Sequence, residues 1–407
     1  MIHHADVLDA LRAMPDNSFH GCLTDPPYGL SFMGHMWDHG VPSAEVWREV
    51  LRVLRPGAHL LAFGGTRTFH RLTCAIEDAG FEIRDCMMWL YGSGFPKSLD
   101  VSKAIDREAG AVRSEGAREW SGGQRSSGIL GTNHGTQTLV TPATEAARQW
   151  SGHGTALKPG FEPIILARKP LSGTVAQNVQ RWGCGALAID ACRVGHDEPA
   201  KTTARTAPRY SGRTMANGVR GGEQPNVAGP DPLGRWPANV ILDEEAGQAL
   251  DAQTGTLTSG SRAASVRKGI GYQSSAKGDG GPKIVGNSGG ASRFFYCAKA
   301  SRKERDAGLE GFEPSAPAHG YATLPHKRMD REQVRNNPRN VHPTVKPLAL
   351  TTYLARLILP PIEGSRLLVP FCGSGSEMLG GTRAGWSHVE GIDSWDVAVN
   401  IARARTA

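Results

Sequence analysis

The sequence of 407 residues contains no apolar run of membrane-spanning length, and aromatic residues make up only 7% of it. A spanning helix would need about 20 consecutive, mainly apolar residues, so no membrane protein is expected. The first six residues, Met1 to Asp6, also lack the basic segment and apolar stretch of a signal peptide. We therefore expect a cytoplasmic protein without a membrane anchor.

Cysteines are few and irregularly spaced. The chain has seven, an odd number with no regular pattern, which favours reduced thiols over a disulfide framework. Cys184, Cys192 and His196 could be considered as metal ligands, but there is no Cys-x-x-Cys pair and no clear fourth ligand. We therefore predict no metal site, and we find no internal repeat.

What the chain has in abundance is glycine, with 51 residues, and proline, with 26, which together indicate long loops. Its formal net charge is +7 and its pI is near 9.1. Clustered lysine and arginine displace counterions from phosphates, so this charge favours an anionic partner such as nucleic acid. Many basic proteins bind no nucleic acid, so charge alone leaves the partner open.

The spacing of apolar residues predicts an α/β protein with a parallel sheet. In the first hundred residues we predict a strand at 21–24, a helix capped by Ser43 and ended by Pro56-Gly57, a strand at 58–63, a helix capped by Thr66 and ended by Gly80, and a strand at 81–90. Later elements are a strand at 164–167, a helix at 347–359, a strand at 366–371, a helix at 377–384 and a strand at 388–392.

Two stretches lack this periodicity. Residues 110–154 are rich in Gly, Ser, Thr and Arg, and they predict a surface loop or mobile insertion. Residues 171–290 scatter basic side chains among glycines. This second stretch is either a solvated, partly disordered segment or a DNA-contacting region that its target orders; composition by itself favours the former.

The turn Phe371-Cys372-Gly373-Ser374-Gly375 lies between a predicted strand and a predicted helix. Glycines there let the backbone approach a nucleotide-like ligand. Asp393 ends the next predicted strand, where a carboxylate can accept hydrogen bonds from both ribose hydroxyls of an adenosine. A dinucleotide site would usually have a small residue where Met378 stands. Taken alone, this turn could equally be a tight connection that binds no ligand.

A second motif, Asp25-Pro26-Pro27-Tyr28, follows the predicted strand at 21–24. The Asp25 carboxylate and the Pro26 carbonyl could accept the two hydrogens of an exocyclic base amine and favour its attack on a methyl group. Pro26 and Pro27 fix the backbone that aims these acceptors, and Tyr28 could stack on a flipped base. Taken alone, the tetrapeptide could also be an ordinary turn at a strand end.

In this order the two motifs make the chain resemble the amino-group DNA methyltransferases of the permuted (beta) order. The stretches that carry the resemblance are Ala5-Asp6-Val7-Leu8, Asp25-Pro26-Pro27-Tyr28-Gly29 with Trp37-Asp38, residues 89–98, Phe161-Glu162-Pro163-Ile164-Ile165, residues 234–239, residues 293–299, His342-Pro343-Thr344-Val345-Lys346-Pro347 and the glycine turn with Asp393. They cover about three quarters of the chain, with residues 110–154 and 215–290 matching poorly.

The resemblance implies a Rossmann-like, S-adenosylmethionine-dependent methyltransferase fold, circularly permuted, with an inserted target-recognition region. It implies a catalytic half at 1–170 (with an insertion at about 110–155), a target-recognition region at 171–335 and a cofactor-binding half at 336–407. Residues implied in catalysis are Asp25, Pro26, Pro27 and Tyr28. Residues implied in cofactor binding are Asp6, Thr344, Lys346, Phe371, Gly373, Gly375 and Asp393. Residues implied in DNA binding are Lys97, Lys201, Arg205, Arg209, Arg213, Arg220, Arg235, Asn239 and Lys299.

The function implied is methylation of adenine N6 in double-stranded DNA by a bacterial or phage-encoded enzyme acting near the nucleoid. Members of this order often form homodimers, and the enzyme is of either the restriction-modification or the orphan type. Asp25 at the first position of the motif favours adenine N6, whereas cytosine-N4 enzymes more often have serine there. The motifs also leave open a DNA-binding relative that no longer methylates and an RNA methyltransferase. Val369 stands where the family often has Asp, and Ser376-Glu377 replaces two threonines.

Overall fold

The computed structural model describes residues 1–30, 40–92, 94, 98–121, 134–195, 234–258, 288–298, 304, 306–312, 339–340, 342 and 345–407. The chain divides into two compact units. The first comprises Met1–Gly92 together with Phe161–Ala407, and the second comprises Ser93–Gly160. In the described residues, no helix has the length and apolar character needed to cross a bilayer.

The described strands are β1 (Ile2–His4), β2 (Phe19–Thr24), β3 (Leu54–Phe63), β4 (Glu82–Leu90), β5 (Ser114–Ser121), β6 (His134–Thr141), β7 (Phe161–Arg168), β8 (Val240–Asp243), β9 (Leu257–Thr258), β10 (Ser288–Gly289), β11 (Tyr296–Ala298), β12 (Arg366–Pro370) and β13 (His388–Asp393). The helices are α1 (Val7–Arg12), α2 (Ala44–Val53), α3 (Phe69–Asp78), α4 (Val101–Glu108), α5 (Glu145–Gln149), α6 (Val175–Trp182), α7 (Glu244–Thr254), α8 (Leu348–Leu357), α9 (Ser376–Ala384) and α10 (Asp396–Thr406).

A nine-stranded sheet organises the described part of the first unit, in the order β1-β13-β12-β2-β3-β7-β4-β8-β11. Neighbouring strands are parallel except that β7 runs antiparallel to both β3 and β4. The predicted α/β fold is confirmed, and the sheet, which was predicted to be parallel, is parallel apart from β7. The reversal of β7 was not predicted, because an isolated apolar strand carries no signal of its direction.

Both faces of the sheet are covered by apolar residues. On β2, Cys22 belongs to one core cluster and its neighbour Leu23 to the other, and Leu60 and Leu61 on β3 divide in the same way. All four are completely buried. Successive side chains of a strand point to opposite faces, so these central strands are apolar without alternation.

The predicted helices and strands of both ends are present, with corrections at some boundaries. Ser43 occupies the N-cap position of α2 but makes no capping hydrogen bond with its side chain. This helix ends at Val53, and Pro56-Gly57 lie inside β3 rather than terminating the helix. The cap of α3 is Thr68, not the predicted Thr66. Local signals predict the presence of a helix or strand more accurately than its first and last residues, because packing decides where the last turn ends.

Residues 110–154, predicted to be a surface loop or mobile insertion, contain regular structure where they are described, and their mobility remains a prediction. In the second unit, β5 and β6 form an antiparallel hairpin with eight registered pairs, and α4 and α5 flank it in sequence. Buried Asp106 accepts hydrogen bonds from the backbone amides of Ala143 and Thr144, both at 3.0 Å, and from Arg113 Nε at 2.7 Å. Backbone hydrogen bonds of the hairpin and the polar contacts of Asp106 stabilise this unit. Because these interactions do not depend on apolar side chains, the spacing of apolar residues did not indicate regular structure.

The predicted target-recognition region, 171–335, contributes to the main sheet. Within it, β8 pairs in parallel with β4, and β11 pairs in parallel with β8. The capping box of α6, in which Thr174 and Gln177 satisfy each other's amides, also shows regular structure where little was expected. The division at residue 171 remains a prediction, since the sheet continues across it.

The two ends of the chain meet in the sheet. β13 lies between β1 and β12, and β12 pairs with β2 on its other side. From β12 the chain proceeds to β13 on one side, whereas β2 leads to β3 on the other. Connections that diverge in this way open a crevice at the carboxyl ends of β12 and β2, which is where open α/β sheets bind ligands.

Candidate active site

The Asp25-Pro26-Pro27-Tyr28 motif leaves the carboxyl end of β2, beside the glycine turn that leaves β12. A buried hydrogen bond joins the two strand ends: Thr24 Oγ1 donates to the Pro370 carbonyl at 2.6 Å, across a separation of 346 residues in sequence. The two motifs, distant in the sequence, are therefore neighbours. Their proximity follows from the insertion of β12 next to β2.

Asp25 is held by two donors. Lys346 Nζ donates to Asp25 Oδ2 at 2.7 Å, and the Tyr28 hydroxyl donates to Asp25 Oδ1 at 2.7 Å. Glu162, at the start of β7, lies 3.2 Å from Lys346 Nζ and 3.1 Å from the Tyr28 hydroxyl. The ammonium group also lies 4.8 Å from the centre of the Phe63 ring. We call Asp25, Tyr28, Glu162 and Lys346 the acidic cluster.

Burial and charge determine the protonation of this cluster. Burial acts to lower the pKa of Lys346, but the carboxylates of Asp25 and Glu162 outweigh it and raise that pKa above its ordinary value. The pKa of Tyr28 is raised well above its usual range by burial first and then by the same two carboxylates. Lys346 therefore stays cationic and Tyr28 stays neutral at physiological pH, so neither is suited to remove a proton.

The glycine turn has a backbone that L side chains rarely adopt. Phe371, Gly373 and Gly375 have φ of +56°, +49° and +82°. The Asp393 carboxylate, at the end of β13, fastens this turn by accepting from the Gly373 amide at 2.8 Å and from the Trp395 amide at 2.9 Å. Each carboxylate oxygen has a further lone pair, so Asp393 can still accept a hydrogen bond from a ribose.

An imidazole ring lies over this turn. A Cβ added at Gly373 would stand 2.9 Å from His342 Nε2, so a side chain there would displace the histidine. His342 also faces Trp395, with ring centres 5.6 Å apart. The backbone of the turn and these two rings, which are tilted by 45° to each other, are surfaces against which a planar heterocycle such as adenine could pack.

Arg405 ties the turn to α10, and Asp6 lies at the edge of the sheet next to Asp393. Buried Arg405 on α10 donates through one guanidinium nitrogen to the Ser374 carbonyl at 2.7 Å and to the Ser376 hydroxyl at 3.3 Å. Asp6 caps α1 by accepting from the Leu8 amide at 2.9 Å. The residue before it donates its amide to the Asp393 carbonyl at 3.1 Å, which brings Asp6 to the same edge of the sheet.

The structure brings together most of the predicted catalytic and cofactor residues. These are Asp6, Asp25, Pro26, Pro27, Tyr28, Lys346, Phe371, Gly373, Gly375 and Asp393, all near the carboxyl ends of β1, β2, β12 and β13 or before α8. Lys346, predicted to contact the cofactor, contacts Asp25 and Tyr28 of the predicted catalytic motif. Thr344 lies outside the described residues, and its predicted role stays a prediction.

Of the predicted DNA-binding residues, only two are described. The Arg235 guanidinium donates to the carbonyls of Arg293 at 2.8 Å and Gly195 at 3.3 Å, and Asn239 donates to Asp85 Oδ1 at 3.2 Å. Both side chains thus contribute to local structure. The others lie outside the described residues: Lys97, Lys201, Arg205, Arg209, Arg213, Arg220 and Lys299. His196 lies there too, and among described residues no three His, Cys, Asp or Glu groups are placed to hold a metal.

Sequence reasoning missed two acidic residues of the site. Glu162 lies in a stretch that carries the resemblance, but no role was predicted for it, although a charged residue at the start of an apolar strand is a signal. Glu377, which departs from the family pattern, is 4% exposed in the first turn of α9. Burial and the nearby Asp25 charge raise its pKa to about 7.

Comparison with known proteins agrees with this arrangement. The profile of the N6/N4 family, described as DNA methylase, matches residues 19–380, which include the tetrapeptide, Lys346 and the glycine turn. The chain belongs to this DNA methylase family. A curated relative, the type II methyltransferase M.HindIII of Haemophilus influenzae, is 22% identical over 231 residues. That match covers 46% of this chain and 63% of the relative.

Two solved structures align with the whole chain at low identity. The PvuII DNA methyltransferase, which is cytosine-N4-specific, is 10% identical, with 100% of this chain and 86% of that chain covered and a TM-score of 0.42. The complex of M1.HpyAVI with SAM is 12% identical, with 100% and 98% covered and a TM-score of 0.37.

Proposed function

We propose that this DNA methylase transfers a methyl group from S-adenosylmethionine to adenine N6 in double-stranded DNA. The observation that carries the proposal is the adjacency of the tetrapeptide and the glycine turn, joined through Thr24 and Pro370. One strand end offers acceptors for an amine, and the other offers a cradle for an adenosine. S-adenosylmethionine supplies the activated methyl group when it is bound.

The residues of the turn suit the adenosine part of this cofactor. Gly373 and Gly375 have the positive φ that this turn requires, and Asp393 is held at the strand end by the Gly373 and Trp395 amides. His342 and Trp395 provide flat surfaces beside them. Asp6 lies at the adjoining edge, consistent with the role that the resemblance implies.

The acidic cluster suits the amine. Both oxygens of Asp25 are already engaged, which fixes the carboxylate, and each retains a lone pair for the hydrogens of a target amine. Two carboxylates, Asp25 and Glu162, lie 2.7 Å and 3.2 Å from the ammonium of Lys346. Their excess negative charge would stabilise the positive charge that the amine nitrogen gains as the methyl group passes to it from sulfur, until the nitrogen releases one proton to water.

Access to the amine requires base flipping, because a paired base does not expose N6 to such a crevice. Tyr28 is the aromatic residue of the tetrapeptide, and its ring is packed beside Gly65, where an added Cβ would lie 3.2 Å away. A rigid ring can offset part of the stacking that the base loses. Residues 171–335 would recognise the target, and a homodimer would suit a palindromic site.

Asp25 at the first motif position is the basis for choosing adenine over cytosine, and cytosine N4 is the alternative. The test is to methylate unmodified DNA with the purified protein and to quantify both methylated nucleosides by mass spectrometry. We expect N6-methyladenine that depends on added S-adenosylmethionine. N4-methylcytosine alone would overturn the base assignment, and neither product on varied DNA would overturn the enzyme assignment.

The variant Asp25→Ala tests the role of the Asp25 carboxylate in methyl transfer. We expect loss of methyl transfer by a factor of about 100 or more, as for removal of an electrostatic group at a reacting centre. Binding of S-adenosylhomocysteine should persist, because Asp25 belongs to the acidic cluster and not to the glycine turn. Full activity in this variant would refute the role given to the carboxylate.

A further inference from the structure

Glu377 is the second residue of α9 and directly follows the glycine turn. Its side chain is 4% exposed, and its Oε1 atom is buried without a hydrogen-bond partner within the described part of the chain. A buried carboxylate oxygen normally has a donor, because burial removes the water that would otherwise solvate it. Glu377 Oε1 therefore lacks a hydrogen-bond donor, and a bound ligand could provide one.

The other carboxylates of the site are already engaged. Asp25 and Glu162 are bound by Lys346 and Tyr28, and Asp393 accepts from two backbone amides. The strand end beside the turn, Val369-Pro370-Phe371, contributes no charged side chain. Among the carboxylates described around the turn, Glu377 is thus the one placed for a cationic donor.

The charges around Glu377 come from several elements. Asp25, after β2, repels its ionised form, whereas Lys346, before α8, and Arg405, on α10, favour it; the Glu377 backbone amide acts in the same direction. Burial is the largest effect, and with Asp25 it holds the carboxyl near its midpoint at neutral pH. A cation placed against Glu377 would shift it to the ionised form.

We propose that Glu377 binds the α-ammonium group of the methionine part of S-adenosylmethionine. This inference rests on the proposed function. An ammonium offers N–H donors for the unpartnered oxygen, which the sulfonium centre does not, and the carboxylate of the same amino acid would be repelled. Glu377 thereby orients the methionine part with its ammonium toward the first turn of α9 and its carboxylate away from it.

The test is calorimetric binding of two ligands to the full chain. One ligand is S-adenosylhomocysteine, and the second is its deamino analogue, in which hydrogen replaces the amino group. For Glu377→Gln we expect affinity for S-adenosylhomocysteine to fall roughly tenfold or more, the order of one hydrogen bond to a charged group. Affinity for the deamino analogue should change less than about twofold. Equal effects on both ligands, or no effect on either, would overturn the proposal.

The exposed carboxylate of Glu363 provides a control, since Glu363→Gln makes the same chemical change outside the site and should leave both affinities unaltered. A second measurement needs no variant. In the wild-type protein, affinity for S-adenosylhomocysteine should fall as pH decreases from about 8 to about 6, because Glu377 becomes protonated, whereas affinity for the deamino analogue should change less. Equal pH profiles for the two ligands would also overturn the proposal.

These results separate the inference from the proposed function. If the wild-type protein binds neither S-adenosylmethionine nor S-adenosylhomocysteine, the proposed cofactor is wrong and the role of Glu377 falls with it. If the wild-type protein binds both and Glu377→Gln binds them equally well, the proposed function stands and the role of Glu377 is refuted.

Discussion

Replacing Lys346 by methionine would remove the cation of the acidic cluster while keeping a side chain of similar length. Lys346 is 6% exposed, and its ammonium lies 2.7 Å from Asp25 and 3.2 Å from Glu162. Methionine fills the space but neutralises neither carboxylate. We therefore expect Lys346→Met to destabilise the fold through the carboxylates that it leaves behind.

The magnitude follows from their burial. Removing one partner of a buried ion pair costs about 3–5 kcal/mol of unfolding free energy, since an uncompensated charge remains. The Asp25 and Glu162 side chains retain 12% and 23% exposure, so water can partly hydrate them. We therefore expect the lower end of the range, about 3 kcal/mol. Asp25→Asn in addition should recover about 2 kcal/mol, because one of the unpaired charges is then absent.

The assay is urea unfolding, followed by tryptophan fluorescence, of the wild type, Lys346→Met, Asp25→Asn and the double variant. The double-mutant cycle gives the coupling between the two side chains. If Lys346→Met lowers the unfolding free energy by less than about 1 kcal/mol, water screens this cluster as it does a surface pair. If the two single effects add without coupling, the proposed pairing of Lys346 with Asp25 is wrong.

Two further predictions concern a buried histidine and the glycine turn. Burial, with Arg55 and Arg366, lowers the pKa of His20 to about 4, and its Nδ1 accepts from the Arg366 amide at 3.0 Å. Between these two pKa values the unfolded state binds more protons than the folded state, so the free energy of unfolding decreases as pH falls from about 6.5 to 4. His20→Asn should weaken the dependence of the unfolding free energy on pH in this range. Gly375→Ala should cost about 1–2 kcal/mol for its left-handed backbone, plus a contact penalty, since the added Cβ would lie 3.2 Å from Ala402 Cβ.

The predictions for His20→Asn and Gly375→Ala can each be contradicted by a specific result. An unchanged acid dependence in His20→Asn would show that different groups cause the loss of stability. Gly364 also has a positive φ, +68°, but an added Cβ there meets nothing within 4 Å. Gly364→Ala should therefore show the backbone cost alone, and equal losses in the two alanine variants would contradict the contact with Ala402.

Local patterns in the sequence indicated most strands and helices of the first hundred and the last seventy residues, and they indicated which short motifs are candidates for chemistry. Apolar spacing indicated α2 and α3, and the glycines at 373 and 375 indicated a turn whose φ values are indeed positive. The order of the two motifs indicated the permuted arrangement. The elements and the turn depend on residues a few positions apart, and the order of the motifs is read directly along the chain, so neither requires knowledge of the fold.

Only the tertiary structure decided which side chains share a site. Lys346 and Asp25 are 321 positions apart and meet because β12 inserts beside β2. The same packing brings Glu162 to the cluster through a strand whose reversed direction no periodicity reveals, and it buries Glu377 with an oxygen that no described residue satisfies. Contacts between distant segments depend on sheet order and on burial, and neither is written in the spacing of neighbouring residues.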